Sequence, residues 1–209
     1  MNAILTKPAK SARKAKGDGH LRRAEILRAA EIIFVRDGYQ GATIRKIADE
    51  VGVSSTALYM HFRDKDEILR EICESALEAL LVRYTDIVDR PIDAVSRVRL
   101  MMAAYMRFGL ENPNTNQLAF GLGAGLPSQK GGPSERGQRC SDLFNNAVAD
   151  IAAEGRLRAG AEKTAVQILW AACSGLVTLR TRHSGSARED DEALISALLD
   201  TLFDGLVVT

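Results

Sequence analysis

The stretch TIRKIADEVGVSSTALYMHF, residues 43–62, constrains the fold of this chain more than any other. Ile44, Ile47, Ala48 and Val51 recur at three- and four-residue steps, which places them on one face of a helix. Gly52 interrupts the pattern, and Ser54 restarts it with Leu58 and Phe62 pointing inward. Glycine reaches the left-handed backbone region that ends a helix without the penalty a side chain incurs. Thr43 and Ser54 are suited to N-capping, because a hydroxyl there accepts a backbone N–H of the first turn. The spacing therefore predicts two short helices joined by a tight turn. Ile47, Val51, Val53 and Leu58 lock them together, with the small Ala48 where they approach. The other face of the second helix is left with Ser55, Thr56, Ala57, Tyr59, Met60 and His61. Such a helix fits the major groove of DNA, where hydroxyls and methyls reach base edges. Helical hairpins are common, so the glycine break alone does not separate a reader of DNA from an ordinary core.

The flanking sequence extends this unit. Ile26, Leu27, Ala30, Ile33 and Phe34 predict an amphipathic helix from Leu21 to about Asp37 and Gly38. Asp64 caps a long helix that begins near Lys65 and runs through Ile68, Leu69, Ile72, Ala76 and Leu80. Further helices are expected over residues 92–110, ended by Asn112-Pro113, and over about 116–121, 135–154, 161–182 and 190–207. The Gly/Pro/Ser-rich stretch 121–137 reads as a loop, and HSGSARED before the last helix as a turn. No strand-like alternation appears, so the fold class is all-α.

Charge is unevenly placed. Residues 1–65 hold 13 Lys/Arg against 7 Asp/Glu, and residues 66–209 hold 15 against 20, so a net charge of +1 conceals a basic first third. That asymmetry suits contact with a polyanion, although five of the cations lie in a Lys/Ala/Ser/Gly-rich tail over about residues 1–20 that is expected to be disordered. No signal-peptide core and no membrane-length apolar run is present, and the three cysteines, Cys73, Cys140 and Cys173, are widely spaced. A cytoplasmic chain with no disulfide framework, metal site or cofactor is expected.

Residues 24–72 contain ILRAAEIIFVRDGYQGATIRKIADEVGVSSTALYMHFRDKDEIL, which resembles the TetR family of transcriptional regulators continuously and without gaps. The resemblance implies a three-helix helix-turn-helix DNA-binding domain over 21–66 and a larger helical ligand-binding and dimerisation domain over 67–209. It also implies roles for single residues. Thr43 caps its helix and donates to a phosphate, and Arg45 reaches a guanine, the backbone or only solvent. Ser54, Ser55, Thr56 and Ala57 open the recognition helix nearest the bases. Tyr59, Met60 and His61 flank it, with Tyr59 and His61 approaching phosphates, and Lys65 meets phosphate from the next helix. Many members have Gly then Thr where this chain has Thr56 then Ala57, which leaves the operator sequence open.

In the remainder, ENPNTNQLAFG and ILWAACSGLVTL resemble the WHG-type C-terminal domain of part of the family, although Ala172, Cys173, Ser174 and Gly175 stand where its His-Gly is approached. The resemblance implies a small-molecule sensor. Candidates to line its cavity are Met101, Met102, Tyr105, Phe108, Phe120, Phe144 and Trp170, a set that serves equally as plain core. The last two helices carry more apolar positions than one flank of a small domain covers, which points to a homodimer. The expected partners are a double-stranded DNA operator, a second copy and an unidentified small-molecule effector, with no membrane. Three scattered histidines without paired carboxylates or a phosphate loop give no catalytic constellation, so an enzyme is not expected.

Overall fold

The structure is a computed structural model that describes residues 19–121, 134–182 and 190–208. The basic tail, most of the Gly/Pro loop and most of the HSGSARED turn lie outside the described residues. Among those described, the chain forms nine helices and no strand. An isolated antiparallel bridge joins Leu157 to Val207. The all-α class is as expected. The chain divides into two compact units, Met1–Glu71 and Ile72–Thr209, each with its own core.

The first unit contains α1 (Gly19–Gly41), α2 (Ile44–Val51), α3 (Ser55–Tyr59) and the start of α4 (Lys65–Val88). Gly38, at φ 69° and ψ 166°, breaks the regular course of α1 where the sequence places its end. Thr43 Oγ1 accepts the Lys46 N–H at 3.2 Å to open α2. Gly52, at φ 74° and ψ 33°, closes α2 in the left-handed region, and the Val53 N–H returns to the Ala48 carbonyl at 2.9 Å. Ser54 Oγ accepts the Ala57 N–H at 3.1 Å to open α3, and Asp64 accepts the Glu67 N–H at 2.7 Å to open α4. Ile26, Ala30, Phe34, Ile47, Ala48, Leu58, Phe62 and Ile68 form the buried core. Two details differ from the sequence reading. α3 stops at Tyr59, because His61 and Phe62 bond back to the Leu58 carbonyl in a turn. Ile44, Val51 and Val53 are half-buried, since short helices expose their ends.

The second unit holds the rest of α4 with α5 (Ala94–Glu111), α6 (Pro113–Ala119), α7 (Glu135–Ala153), α8 (Ala165–Arg182) and α9 (Asp191–Leu206). Two helix starts shift from the expected ones, those of α6 and α8. α6 starts at Pro113, because proline is tolerated in a helix's first turn, where its missing N–H has no partner to lose. α7 starts at Glu135 as expected, with Ser134 Oγ accepting the Gly137 N–H, so the overlapping loop reading of 135–137 gives way to helix. α8 starts at Ala165, because Gly160 at φ 86° and a turn at Ala161 delay it. α5 is buried around most of its circumference and packs on α6, α7, α8 and α9, which marks it as the central helix. Gly109 sets its closest approach to α8: a Cβ there would lie 2.6 Å from Val177 Cγ1. At the rim, Arg107 grips both Glu192 carboxylate oxygens at 2.7 and 2.6 Å.

Candidate nucleic-acid interface

The α2–turn–α3 segment owes its shape to two anchors. Leu58 is 0% exposed and Phe62 is 1% exposed, so the axis and rotation of α3 are set from within. With those inward, Tyr59 is 55% and Met60 82% exposed, and Thr56 and Ala57 are exposed beside them. Ser55 and His61 are half-buried. The segment therefore brings Ser54, Ser55, Thr56, Ala57, Tyr59 and Met60 together on α3 (Ser55–Tyr59) and its two caps. Ser54 and Thr43 each use one oxygen lone pair for capping and retain a hydroxyl hydrogen to donate. On α2 the Arg45 side chain is 86% exposed, with Asp49 Oδ2 at 3.9 Å from its Nε. At such exposure a pair of that length holds the guanidinium weakly.

Lys65 is placed differently from an open phosphate ligand. Its ammonium donates to the Tyr39 carbonyl at 2.7 Å and the Ala42 carbonyl at 3.1 Å, and it lies 4.1 Å from the centre of the Tyr39 ring. Lys46 does similar work from α2, donating to the Gly41 carbonyl at 2.9 Å and to Asp37 at 2.6 Å. Two ammonium groups thus cap the carbonyl end of α1, where helix carbonyls lack intrahelical partners and the dipole favours cations. Arg36 and Lys46 together hold the Asp37 carboxyl down to about 2. The Tyr39 hydroxyl donates to Asp66, and burial, reinforced by that carboxylate, pushes its phenol up to about 12.

Arg23 is the residue that sequence reasoning missed. Its guanidinium chelates Glu71, donates to the His61 carbonyl and lies 4.0 Å from the centre of the Phe62 ring. One side chain therefore ties α1 to the turn after α3 and to α4. Hydrogen bonding to Glu71 raises its pKa above the ordinary value, with burial opposing. No spacing rule marks it, because its partners lie 38 and 48 residues away.

The sensor candidates divide. Met101, Met102, Tyr105, Phe108 and Phe144 are buried, Phe120 is half-buried, and Trp170 is 36% exposed. Tyr105 packs against Trp170 at 4.7 Å and edge-on to Phe120 at 5.6 Å, which in turn meets Phe108 at 6.2 Å. Cys140 and Cys173 are buried and Cys73 is half-buried. Burial pushes their thiols up to about 11, 12 and 11 respectively. Among the described residues, no cluster of three or more His, Cys, Asp or Glu could hold a metal, and no helix is long and apolar enough to cross a membrane.

A capped helix pair with a small, exposed second helix defines a helix-turn-helix unit, and comparison with known proteins assigns its family. Residues 26–72 match the profile of bacterial regulatory proteins of the tetR family, and residues 98–202 match the tetracyclin repressor-like C-terminal domain. The chain belongs to the TetR family. It is 37% identical over 93 residues to the HTH-type transcriptional repressor KstR2 of Mycobacterium tuberculosis, covering 44% of this chain and 46% of that one. The matched region thus spans about half the length of that relative. It is 31% identical over 140 residues to the nucleoid occlusion factor SlmA of Vibrio cholerae, covering 66% of this chain and 70% of that one. The solved structure of the ketosteroid transcriptional regulator KstR2 of M. tuberculosis shares the fold, with a TM-score of 0.70 at 22% identity, over 97% of this chain and all of that one. These relatives point to a transcription regulator and not to an enzyme.

Proposed function

We propose that this chain is a sequence-specific DNA-binding repressor that reads a palindromic operator as a homodimer and releases it when a small molecule enters the second unit. The observation that carries this reading is the outward face of α3, held by Leu58 and Phe62 from beneath. Ser55, Thr56 and Ala57 are assigned to base edges, and Thr43, Tyr59 and His61 to phosphates, with Arg45 and Met60 at the margins. Ser54 supports the start of α3 through its cap. Lys65 has one N–H left beyond its two carbonyls and is assigned first to holding α1 in place and second to phosphate. Residues 21–66 are assigned to the reader and 67–209 to the sensor and dimerisation domain, with Ile68 and Glu71 of α4 serving the reader's own packing and α1 taking up residues 19 and 20 of the expected tail.

Dimer formation is supported by the outer face of α8 and α9. Ile168, Ala171, Gly175 and Leu179 are exposed or half-buried at three- and four-residue steps, and α9 offers Leu194, Leu198 and Leu202 half-buried beside exposed Ala197, Thr201 and Gly205. A Cβ at Gly175 or Gly205 would meet nothing within 4 Å, so both positions admit the close approach of another helix. Two such helices from each copy make a four-helix bundle. The pair would set two recognition helices about 34–36 Å apart, one turn of DNA. A ligand that binds the two operator states unequally would shift that geometry, and α4, which contains the boundary between units, is the covalent route. Such a partner places the protein in the cytoplasm.

Selection of bound DNA from a random pool, with wild type and Tyr59→Ala in parallel, tests this. A two-fold symmetric motif enriched by the wild type and weakened in the variant is expected. Absence of enrichment at low salt would count against the reading.

A further inference from the structure

Three buried side-chain polar atoms of the second unit have no partner among the described residues: the Tyr84 hydroxyl, Asn116 Oδ1 and Arg97 Nε, the last in a guanidinium whose other nitrogens bond Asp150 and the Ile92 carbonyl. Tyr84 is 2% and Asn116 6% exposed. Water cannot reach such atoms freely, and buried polar groups without partners are uncommon because each loses its hydration uncompensated. Asn116 Oδ1 lies close to α5 at Gly109, where an added Cβ would be 3.0 Å from it. One turn earlier on α5, the Tyr105 hydroxyl lies 3.2 Å from Ser174 Oγ. Burial raises the Tyr105 phenol, and the Ser174 and Asn116 side chains offset part of that rise. Burial also raises Tyr84, and the groups that act on it besides are Cys140, Tyr105 and Cys173. Tyr84, Tyr105, Ser174 and Asn116 therefore belong to one stretch of core, bounded by Phe120 and Trp170.

We infer that this core takes one uncharged ring compound that presents a hydrogen-bond acceptor to the Tyr84 hydroxyl and a donor to Asn116 Oδ1, its body against Tyr105, Phe120 and Trp170. The inference rests on the reading of the second unit as a sensor and names the class of molecule sensed. The lining disfavours charge: among the described residues, no Asp, Glu, Lys or Arg is buried as a whole residue, so an ion would enter without a counter-charge beside it. Aromatic rings and methionines supply area for an apolar body, while the Tyr84 hydroxyl and Asn116 Oδ1 set its orientation.

Trp170 is the only tryptophan, and it touches the cluster, so its fluorescence reports occupancy. The probes are hydroxyphenylbutanone, hydroxytetralone and hydroxyfluorenone, each beside its ketone without the hydroxyl, its hydrocarbon without the carbonyl and a matched carboxylate. At least one hydroxyketone is expected to bind about tenfold more tightly than both its counterparts. Asn116→Leu should remove the preference for the hydroxyl, and Tyr84→Phe the preference for the ketone over the matched hydrocarbon. Tyr84→Phe deletes a hydroxyl without a partner, so its melting temperature should not fall, which separates lost recognition from lost fold. Carboxylates that bind as tightly, failure of all three hydroxyketones, or discrimination unchanged in both variants would each overturn the inference. Operator affinity measured in the same samples keeps the two readings apart. Selective binding that leaves operator affinity unchanged would remove the inducer role and leave the site standing.

Discussion

The two units treat their polar groups in opposite ways. In the first, three cations that could be taken for a DNA-binding surface are engaged within the fold, Lys65 and Lys46 on the carbonyl end of α1 and Arg23 on Glu71 and the His61 carbonyl, while Arg45 stays exposed. What remains outward on α3 is small, hydroxylated or aromatic. In the second, many charges pair at the rim, as in Arg107–Glu192, while the Tyr84 hydroxyl, Asn116 Oδ1 and Arg97 Nε are buried without a partner among the described residues. Among the described residues, the first unit has no buried side-chain polar atom without a partner, and its candidate site is on its surface. The second is incomplete internally, and it also leaves apolar faces of α8 and α9 uncovered. The difference teaches that lysines and arginines of a helix-turn-helix unit can be committed to its own fold, and that polar atoms deep in a helical core can lack a protein partner.

The sharpest way to break the comparison is to remove an anchor from the first unit. Leu58→Ala should cost about 2–5 kcal/mol, as for other buried leucines, read by chemical denaturation, with operator affinity falling alongside. A smaller loss would mean that α3 is held by something besides its buried leucine. Arg23→Met should cost about 1–2 kcal/mol, reduced from a fully buried charge-assisted network by the one-third exposure of both partners. Tyr84→Phe in the second unit should change stability by less than about 0.5 kcal/mol or raise it, because no partner is orphaned by the change. A loss as large as that of Arg23→Met would show that Tyr84 has a partner in the protein and would erase the contrast. The smallest effect is chemical: with thiols pushed up to about 11, 12 and 11, Cys140, Cys173 and Cys73 should resist iodoacetamide at pH 8 in the native protein. Rapid labelling of Cys173 would show that the core opens readily.

Sequence periodicity made the helices and their caps legible because those features are local. Thr43, Gly52, Ser54 and Asp64 each act within four residues of themselves, and a residue's type nearly dictates such roles. The Pro113 start of α6 and the delayed start of α8 were less legible, since turn geometry there depends on Asn112 and Gly160 taking particular backbone angles. The long-range roles of Arg23, Lys46 and Lys65 were not legible at all. A lysine at a helix start looks the same whether it faces a phosphate or the carbonyls of a helix 26 residues earlier. The orphaned atoms were hidden for a related reason: Asn116 reads as a polar residue in a short helix, and only packing against Gly109 and Val177 reveals that it is buried.

The most direct test of the account is to exchange the residues at Thr56 and Ala57, making Thr56→Ala and Ala57→Thr together, and to repeat the selection from a random pool. Neither side chain is buried, so the fold and the half-site spacing should be unchanged. If α3 reads the bases, the preferred base pairs within each half-site change, by about 1–3 kcal/mol at each affected position. The same consensus recovered from both proteins would contradict the assignment of the outward face of α3 as the reader.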